Sequence, residues 1–290
     1  LWYKLPSNQL PVVISIQGVL TDCARGFWSN IPWRSRVRMP KQVLRQVDMF
    51  VRAFNQRADM TRFRNFMCRT SYDRMFVLTQ IPAAYIYHDD RVLRNEFYQS
   101  PIWVARSPQK GESFNLLTVL SEHPYKGAHH LLVALADQFE RSVYLRIAGI
   151  TTNSEYGRYL IRLAKSLGIN SRITFVGRCT PDILCKELLN CNTYIHPSTQ
   201  ENSPNALGEA MLLGVPCITS DAGGITSYIT HMVSGLIHKA GNLSEIHDAI
   251  TFAISFPELM SQFGASGRIR ALNRHSPGRI KGDMIAAYAK

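Results

Sequence analysis

The sequence is poor in several features that would mark whole classes of protein. None of its six cysteines (Cys23, Cys68, Cys179, Cys185, Cys191 and Cys217) belongs to a Cys-x-x-Cys pair, and none has a histidine at zinc-ligand spacing. That pattern excludes the common zinc modules, predicts no metal centre, and suits reduced, buried thiols in the cytoplasm. No apolar run approaches the roughly 20 residues that a spanning helix needs. Residues 1–10 (LWYKLPSNQL) are too polar and too short of an apolar core for a secretory signal. Acidic residues are scarce, with 21 Asp and Glu against 33 Lys and Arg, a net charge of +12. Disorder is excluded by the balance of 46% hydrophobic to 19% charged residues. A length of 290 residues suits two domains or one large one.

The charge is unevenly placed. Residues 1–110 hold 17 Lys and Arg against 7 Asp and Glu, a net +10, whereas residues 111–290 hold 16 against 14, a net +2. Eleven basic residues fall between Arg34 and Arg74, interleaved with Phe50, Phe54, Phe63 and Phe66. A one-signed stretch of this kind attracts an anionic surface, and a peripheral contact with a membrane, a lipid-phosphate acceptor or a partner is expected. Nucleic acid is not expected as a partner, because no helix-turn-helix, zinc-finger or RNA-binding sheet signature accompanies the charge.

From residue 115 the rhythm is strand then helix. Apolar runs at Leu116–Leu120, Val143–Ala148, Ile173–Val176, Thr193–His196, Pro216–Thr219 and near Leu236 predict buried parallel strands. Helix-length segments at 128–140, 154–168, 181–190 and 204–214 lie between them. Thr180-Pro181 and Ser203-Pro204 each place a capping hydroxyl before a proline suited to the first turn, and Gly168 and Gly214 stand where helices end. The alternation predicts a doubly wound parallel sheet. Earlier in the chain only Pro11–Ile16 reads as a buried strand, with helices at 41–54, around 71–79 and at 90–98. The polar stretch Arg106–Ser113 predicts a linker, and 257–289 two helices parted at Ser276-Pro277. Thr70 and Asp73 have capping-box spacing. His88, His123 and His196 are expected to be structural or exposed.

The stretch 196–224 (HPSTQENSPNALGEAMLLGVPCITSDAGG) carries the chemistry. Glu201 lies in the loop before a helix, and Glu209 follows Asn205 by one helical turn, so both of the latter face one side. Free N–H groups at a helix start suit phosphate or sugar oxygens, and a carboxylate on its first turns suits a ribose diol. Gly223-Gly224 forms a turn where backbone can approach a ligand.

These residues resemble the donor-site signature of the group-4 retaining glycosyltransferases, whose GT-B architecture joins two Rossmann-like domains. Its elements are matched by Glu201 and Glu209, with seven residues between them, by Gly214-Val215-Pro216 and by Gly223-Gly224. Lys126-Gly127 matches the Lys-Gly after the first strand of the second domain, and Phe175-Val176-Gly177 the loop bordering the nucleobase. The resemblance covers 115–275 well and 1–110 weakly. It implies a metal-independent transferase that moves a hexose with retention from a nucleotide diphosphate sugar to a carbohydrate or lipid-linked acceptor, in polysaccharide or glycolipid assembly. No further cofactor is implied. By this resemblance Lys126 neutralises the departing diphosphate, Glu201 contacts the transferred sugar and Glu209 binds the ribose. Asn205, Ala206, Gly177, Arg178, Gly223 and Gly224 are then nucleotide-sugar contacts.

Three positions depart from the pattern. Ser121 stands where an Arg usually completes the diphosphate clamp, so Arg178 or an arginine of the first domain must substitute. Gln17 replaces a His, and Ser227 a Glu. The alternatives are a nucleotide-sugar hydrolase or epimerase of the same fold, and a non-catalytic nucleotide-sugar-binding subunit. The expected domains are 1–110, the latter part of an N-terminal acceptor-side domain lacking its early strands; 111–275, a complete donor domain; and 276–290, a C-terminal helix.

Overall fold

The computed structural model describes residues 13–16, 20–88, 98, 100, 113–136 and 142–289. Two wholly parallel sheets organise them. The first has the order β1 (Val13–Ile16), β2 (Asn65–Cys68), β3 (Tyr85–His88), with Ile14 beside Phe66 and Phe66 beside Ile86. Helices α1 (Leu20–Arg25), α2 (Trp33–Arg36) and α3 (Pro40–Met60) connect β1 to β2, and α4 (Ser71–Gln80) connects β2 to β3. Strands β2 and β3 correct the expectation that Pro11–Ile16 is the one strand of this part. The second half of α3 extends beyond the expected 41–54. The expected helix at 90–98 (apart from Tyr98), linker residues 106–112 and Gln17 lie outside the described residues.

The second sheet contains β4 (Phe114–Val119), β5 (Val143–Ala148), β6 (Ile173–Gly177), β7 (Thr193–His196), β8 (Cys217–Ser220) and β9 (Leu236–His238) in the order β6-β5-β4-β7-β8-β9. Every position of β7 and β8 is buried, as befits strands covered on both faces. The covering helices are α5 (Ala128–Ala136), α6 (Glu155–Ser166), α7 (Pro181–Asn190), α8 (Asn205–Leu212), α9 (Leu243–Ser255) and α10 (Pro257–Arg274). The strand order grows outward in both directions from β4, so β4 and β7 flank the point where the winding reverses. In doubly wound folds that crevice, beyond the carboxyl ends of the strands, is where ligands bind.

Local signals explain most of the element ends. Thr70 and Asp73 form the expected reciprocal capping box, and Ser154 accepts the Gly157 N–H at the start of α6. Each such cap contributes about 1 kcal/mol. Gly168 and Gly214 adopt φ of 71° and 72° just beyond α6 and α8. Ser203 is a correction: Pro204 is the N-cap of α8, with no side-chain cap bond, and the Ser203 hydroxyl lies 2.6 Å from that of Tyr228. Thr180 holds the N-cap position of α7 but makes no cap bond. Helix α9 escapes sequence analysis although Asn242 caps it by accepting the Glu245 N–H.

The connection after β1 packs onto the second sheet, while β2 has its own cluster of Met60, Phe66, Cys68 and Val77. Phe27, Trp28, Ile31 and Met39, all before residue 40, belong to one buried cluster with Leu116, Leu131, Leu145 and Ile195 of the second sheet and its helices. Each fully buried side chain of this size contributes about 1.5–3 kcal/mol. After a break at Ser276, helix α11 (Pro277–Tyr288) returns to pack against β3. All six cysteines are free, and Cys68, Cys185, Cys191 and Cys217 are buried.

Candidate active site

The loops after β4 and β7 are stitched together at the switch point. After β4 the chain makes a single tight turn, Pro124–Lys126, closed by Gly127 at φ 77°. A Cβ on Gly127 would strike the Pro197 carbonyl, so only glycine lets these loops meet. The Tyr125 carbonyl accepts from the Thr199 N–H at 2.8 Å and from its hydroxyl at 3.1 Å.

This stitching sets Lys126 Nζ 2.5 Å from Glu201 Oε2, with the two side chains only 17% and 9% exposed. His196 Nε2 lies 2.9 Å from the same oxygen, and the Ser198 hydroxyl donates to it at 3.4 Å. Oε1 accepts the Asn202 N–H at 3.1 Å. A carboxylate only accepts, so Nε2 of His196 carries its proton toward Glu201, while Nδ1 lies 2.9 Å from the Tyr194 hydroxyl. Burial pushes the Glu201 pKa up, but the Lys126 charge and the His196 contact outweigh it and hold the carboxyl well below its ordinary 4.5. His196, expected to be structural or exposed, is buried beneath the pair and bonded to Glu201 and Tyr194. Where the resemblance implies a sugar contact for Glu201, the structure engages both carboxylate oxygens within the protein.

The first domain closes on this cluster from the end of β2 and from α1. Arg69 Nη2 donates to Asn205 Oδ1 at 2.7 Å, and the Thr70 hydroxyl lies 3.2 Å from Asn202 Oδ1. Arg274 in turn donates to the Arg69 carbonyl at 2.8 Å. Gly223 and Gly224 lie beneath this contact: a Cβ on the first would meet the Glu201 carbonyl, and on the second the Asn202 carbonyl and Thr70. The pair thus permits a close approach of protein to protein. On the other side, Cys23 of α1 feels the charges of Lys126 and Glu201, but burial pushes its thiol up to about 11 and keeps it protonated at neutral pH. Tyr72 donates to the Asp22 carboxylate beside it. Sequence analysis did not single out Arg69, Asn202 or Ser198. Ser121, exposed where an arginine was expected, is the signal that a cation had to come from elsewhere.

The remaining candidates spread outward. Asn205 and Glu209 are half-buried, one turn apart on α8, while the Ala206 side chain packs inward and leaves its backbone N–H at the helix start. Gly177 (φ 74°) ends β6 with open space beside its Cα, and Arg178 is exposed next to it. That edge is two strands, roughly 10 Å, from β4. Among the described residues, no group of three or more His, Cys, Asp or Glu side chains is arranged to hold a metal ion.

Comparison with known proteins agrees with this geometry. The structure of Anabaena HepE in complex with UDP and glucose superposes with a TM-score of 0.72 at 19% identity, covering 97% of this chain and 72% of that one. Such a likeness shows the fold, two Rossmann-like domains in the GT-B arrangement. In sequence, an uncharacterized glycosyltransferase of Methanocaldococcus jannaschii is 31% identical over 112 residues, which are 38% of this chain and 28% of that protein. The D-inositol 3-phosphate glycosyltransferase of Rhodococcus erythropolis is 26% identical over 156 residues, 52% of this chain and 35% of that protein. The chain thus matches about a third of the length of these curated relatives. The family described as "Glycosyl transferases group 1" matches residues 100–270, more than half of the chain and the whole of the stitched switch point. The chain belongs to the group 1 glycosyl transferases.

Proposed function

We propose that the chain binds a nucleoside diphosphate sugar across the C-terminal edge of the second sheet and transfers the hexose, with retention, to an acceptor hydroxyl on a carbohydrate or lipid-linked glycan. The observation that carries this reading is the buried Lys126–Glu201 pair at the switch point. The electrostatic problem of such a transfer is the charge that grows on the departing diphosphate, and preorganised cations and N–H groups relieve it. An ammonium has three donors, and the bridge to Glu201 uses one of them. Glu201 therefore acts as a positioning residue, holding Lys126 charged and aimed at the cleft. Arg69, reaching α8 at Asn205, takes the place of the arginine absent at Ser121, and the backbone N–H groups of Asn205 and Ala206 add to the same anion site.

Glu209 accepts from the ribose hydroxyls, and the base extends toward Gly177 and Arg178. The bond from anomeric carbon to diphosphate breaks, the acceptor oxygen bonds to that carbon, and the acceptor proton leaves with the diphosphate. Because Lys126, Arg69 and the helix start supply the positive charge, we expect transfer to persist in chelator. Residues 111–275 hold the donor and those before 110 face the acceptor, with 276–290 returning to the first sheet. Six free thiols suit the reducing cytoplasm, where we place the reaction.

Nucleotide release from UDP-, GDP- and ADP-sugars, followed with and without acceptor glycans, tests this. Acceptor-dependent release supports transfer. Release without acceptor marks a hydrolase, and binding without release a binding subunit. A ligand at 100 times its Kd stabilises by about 2.7 kcal/mol, so failure of every donor to raise the Tm refutes the donor site itself.

A further inference from the structure

Helix α3 is mounted with its apolar side outward. The inward residues recur at helical spacing, and half of them are glutamines: Gln42, Gln46 and Gln56 stand among Met49, Ala53 and Met60. The glutamines are tied down. Gln42 donates to the Glu122 carbonyl at 2.8 Å, and Gln46 donates to the Ala24 carbonyl at 3.0 Å while accepting from the Trp28 indole at 2.7 Å. The Glu155 carboxylate caps the start of the helix, accepting from the Lys41 and Gln42 N–H groups at 3.3 and 3.2 Å. These bonds fix the rotation of the helix about its axis.

The opposite face carries Val43, Leu44, Val47, Phe50, Val51 and Phe54, a continuous stripe whose members are 38% to 77% exposed. The helix leading into α3 adds Trp33 and Val37, each 66% exposed. A stripe of this size on a helix anchored by glutamines is not a product of misfit, because the glutamine bonds would be lost if it turned inward. Beside the stripe, on one flank, lie the exposed Lys41, Arg45 and Arg52, with Asp48 paired to Arg52 at 2.8 Å. Among the described residues no helix is long and apolar enough to cross a membrane.

We propose that this face of α3 seats in the headgroup–acyl boundary of an anionic bilayer, lying in its plane, with the stripe in the acyl region and the basic flank among lipid phosphates. Charge selects the occupant: a second copy of this chain would set like charges against one another, whereas an anionic leaflet complements both the stripe and its flank. Trp33 is the side chain expected at headgroup depth. Vesicle binding requires neither donor nor acceptor, so it stands or falls independently of the transfer reaction.

The test is flotation of the 290-residue chain with vesicles of phosphatidylcholine containing about 30 mol% phosphatidylglycerol, with pure phosphatidylcholine as the control. We expect binding to the anionic vesicles and protection of amides in 43–54 from hydrogen exchange upon binding. A Leu44→Glu/Phe54→Glu variant, altered only at exposed positions, should keep its fold and its Tm and lose at least about tenfold in partition. No binding to anionic vesicles, or equal binding by the variant, overturns the proposal. So does a dimer in sedimentation equilibrium that the same variant dissociates, since a second copy would then own the face.

Discussion

Glu201→Gln is the sharpest perturbation of the site, because it removes one charge and almost no volume. In the native protein the Glu201 carboxylate is the counterion of a Lys126 ammonium that is itself only 17% exposed, at 2.5 Å. Breaking a buried pair by removing one partner strands the other, at a cost of about 3–5 kcal/mol; the residual exposure argues for about 3. Removing both charges should restore much of that loss, so Glu201→Gln/Lys126→Met is expected to be more stable than the two single losses added together, with a coupling of about 2 kcal/mol. Urea unfolding of the four proteins at pH 7 gives the cycle directly. A nucleoside diphosphate brings its own charge to Lys126, so it should raise the Tm of Glu201→Gln at least as much as that of the native chain. The sign of the pH dependence follows from a carboxyl held below its ordinary 4.5. The stabilisation is complete above that value and is lost as pH falls below it toward the folded pKa, and Glu201→Gln should show no such loss. A coupling under about 0.5 kcal/mol, or a single-variant loss that small, would refute the positioning role and return Glu201 to a direct sugar contact.

Other perturbations separate the remaining roles. Lys126→Ala should lower kcat by roughly 10²–10³ with a lesser change in KM, as for loss of a transition-state stabiliser; a rise in KM alone would make it a ground-state contact. Arg69→Ala should weaken diphosphate binding and lower turnover without acting through Ser121, and the double variant Arg69→Ala/Ser121→Arg should recover part of the loss; calorimetry with UDP or GDP reads both. Glu209→Ala should cost about 1.5–3 kcal/mol in nucleotide-sugar affinity, and calorimetry showing no change in a folded variant removes the ribose assignment. Burial pushes Asp73 up from 3.8 to about 6 against its capping bonds. The folded chain therefore gains a proton preferentially between those values, and native stability relative to Asp73→Asn should fall by about 2 kcal/mol as pH rises from 4 to 6.

The second sheet is legible in the sequence because its strands are short and apolar and most are bounded by a glycine, so that period and punctuation agree. The strands of the first sheet are harder to read. In β2, Asn65–Cys68 has only three apolar residues, set between Arg64 and Arg69. In β3, Tyr85–His88 mixes tyrosines with a histidine. Their strand state comes from the pairing of β2 with β1 and of β3 with β2, and from the Phe66 and Val77 cluster beneath, which no local window contains. Ser203 was read as a cap on good local grounds, yet its hydroxyl found Tyr228, 25 residues on. Helix α3 is the plainest case. Its periodicity forecasts a helix correctly, but an amphipathic pattern says only that two faces differ. Which face turns inward is decided by where Gln42 and Gln46 find partners on Glu122, Ala24 and Trp28.

The site divides along the same line. Glu201, Asn205 and Glu209 lie within nine residues, so one loop and one helical turn explain how they come together. Lys126 reaches Glu201 from 75 residues away, and Arg69 reaches Asn205 from 136. Neither distance is visible in a motif. What makes both contacts possible is a set of glycines: Gly127 lets the β4 and β7 loops touch, and Gly223-Gly224 let the second domain accept Thr70 and with it Arg69. A side chain at Gly224 would push Thr70 outward, and its neighbour Arg69 would leave Asn205 before any donor contact was altered. Gly224→Ala should therefore reproduce the kinetic defect of Arg69→Ala while Lys126 and Glu201 stay paired. If Gly224→Ala instead matched the native chain in diphosphate affinity, Arg69 would owe its place to β2 alone, and the glycine pair would carry no part in assembling the cleft.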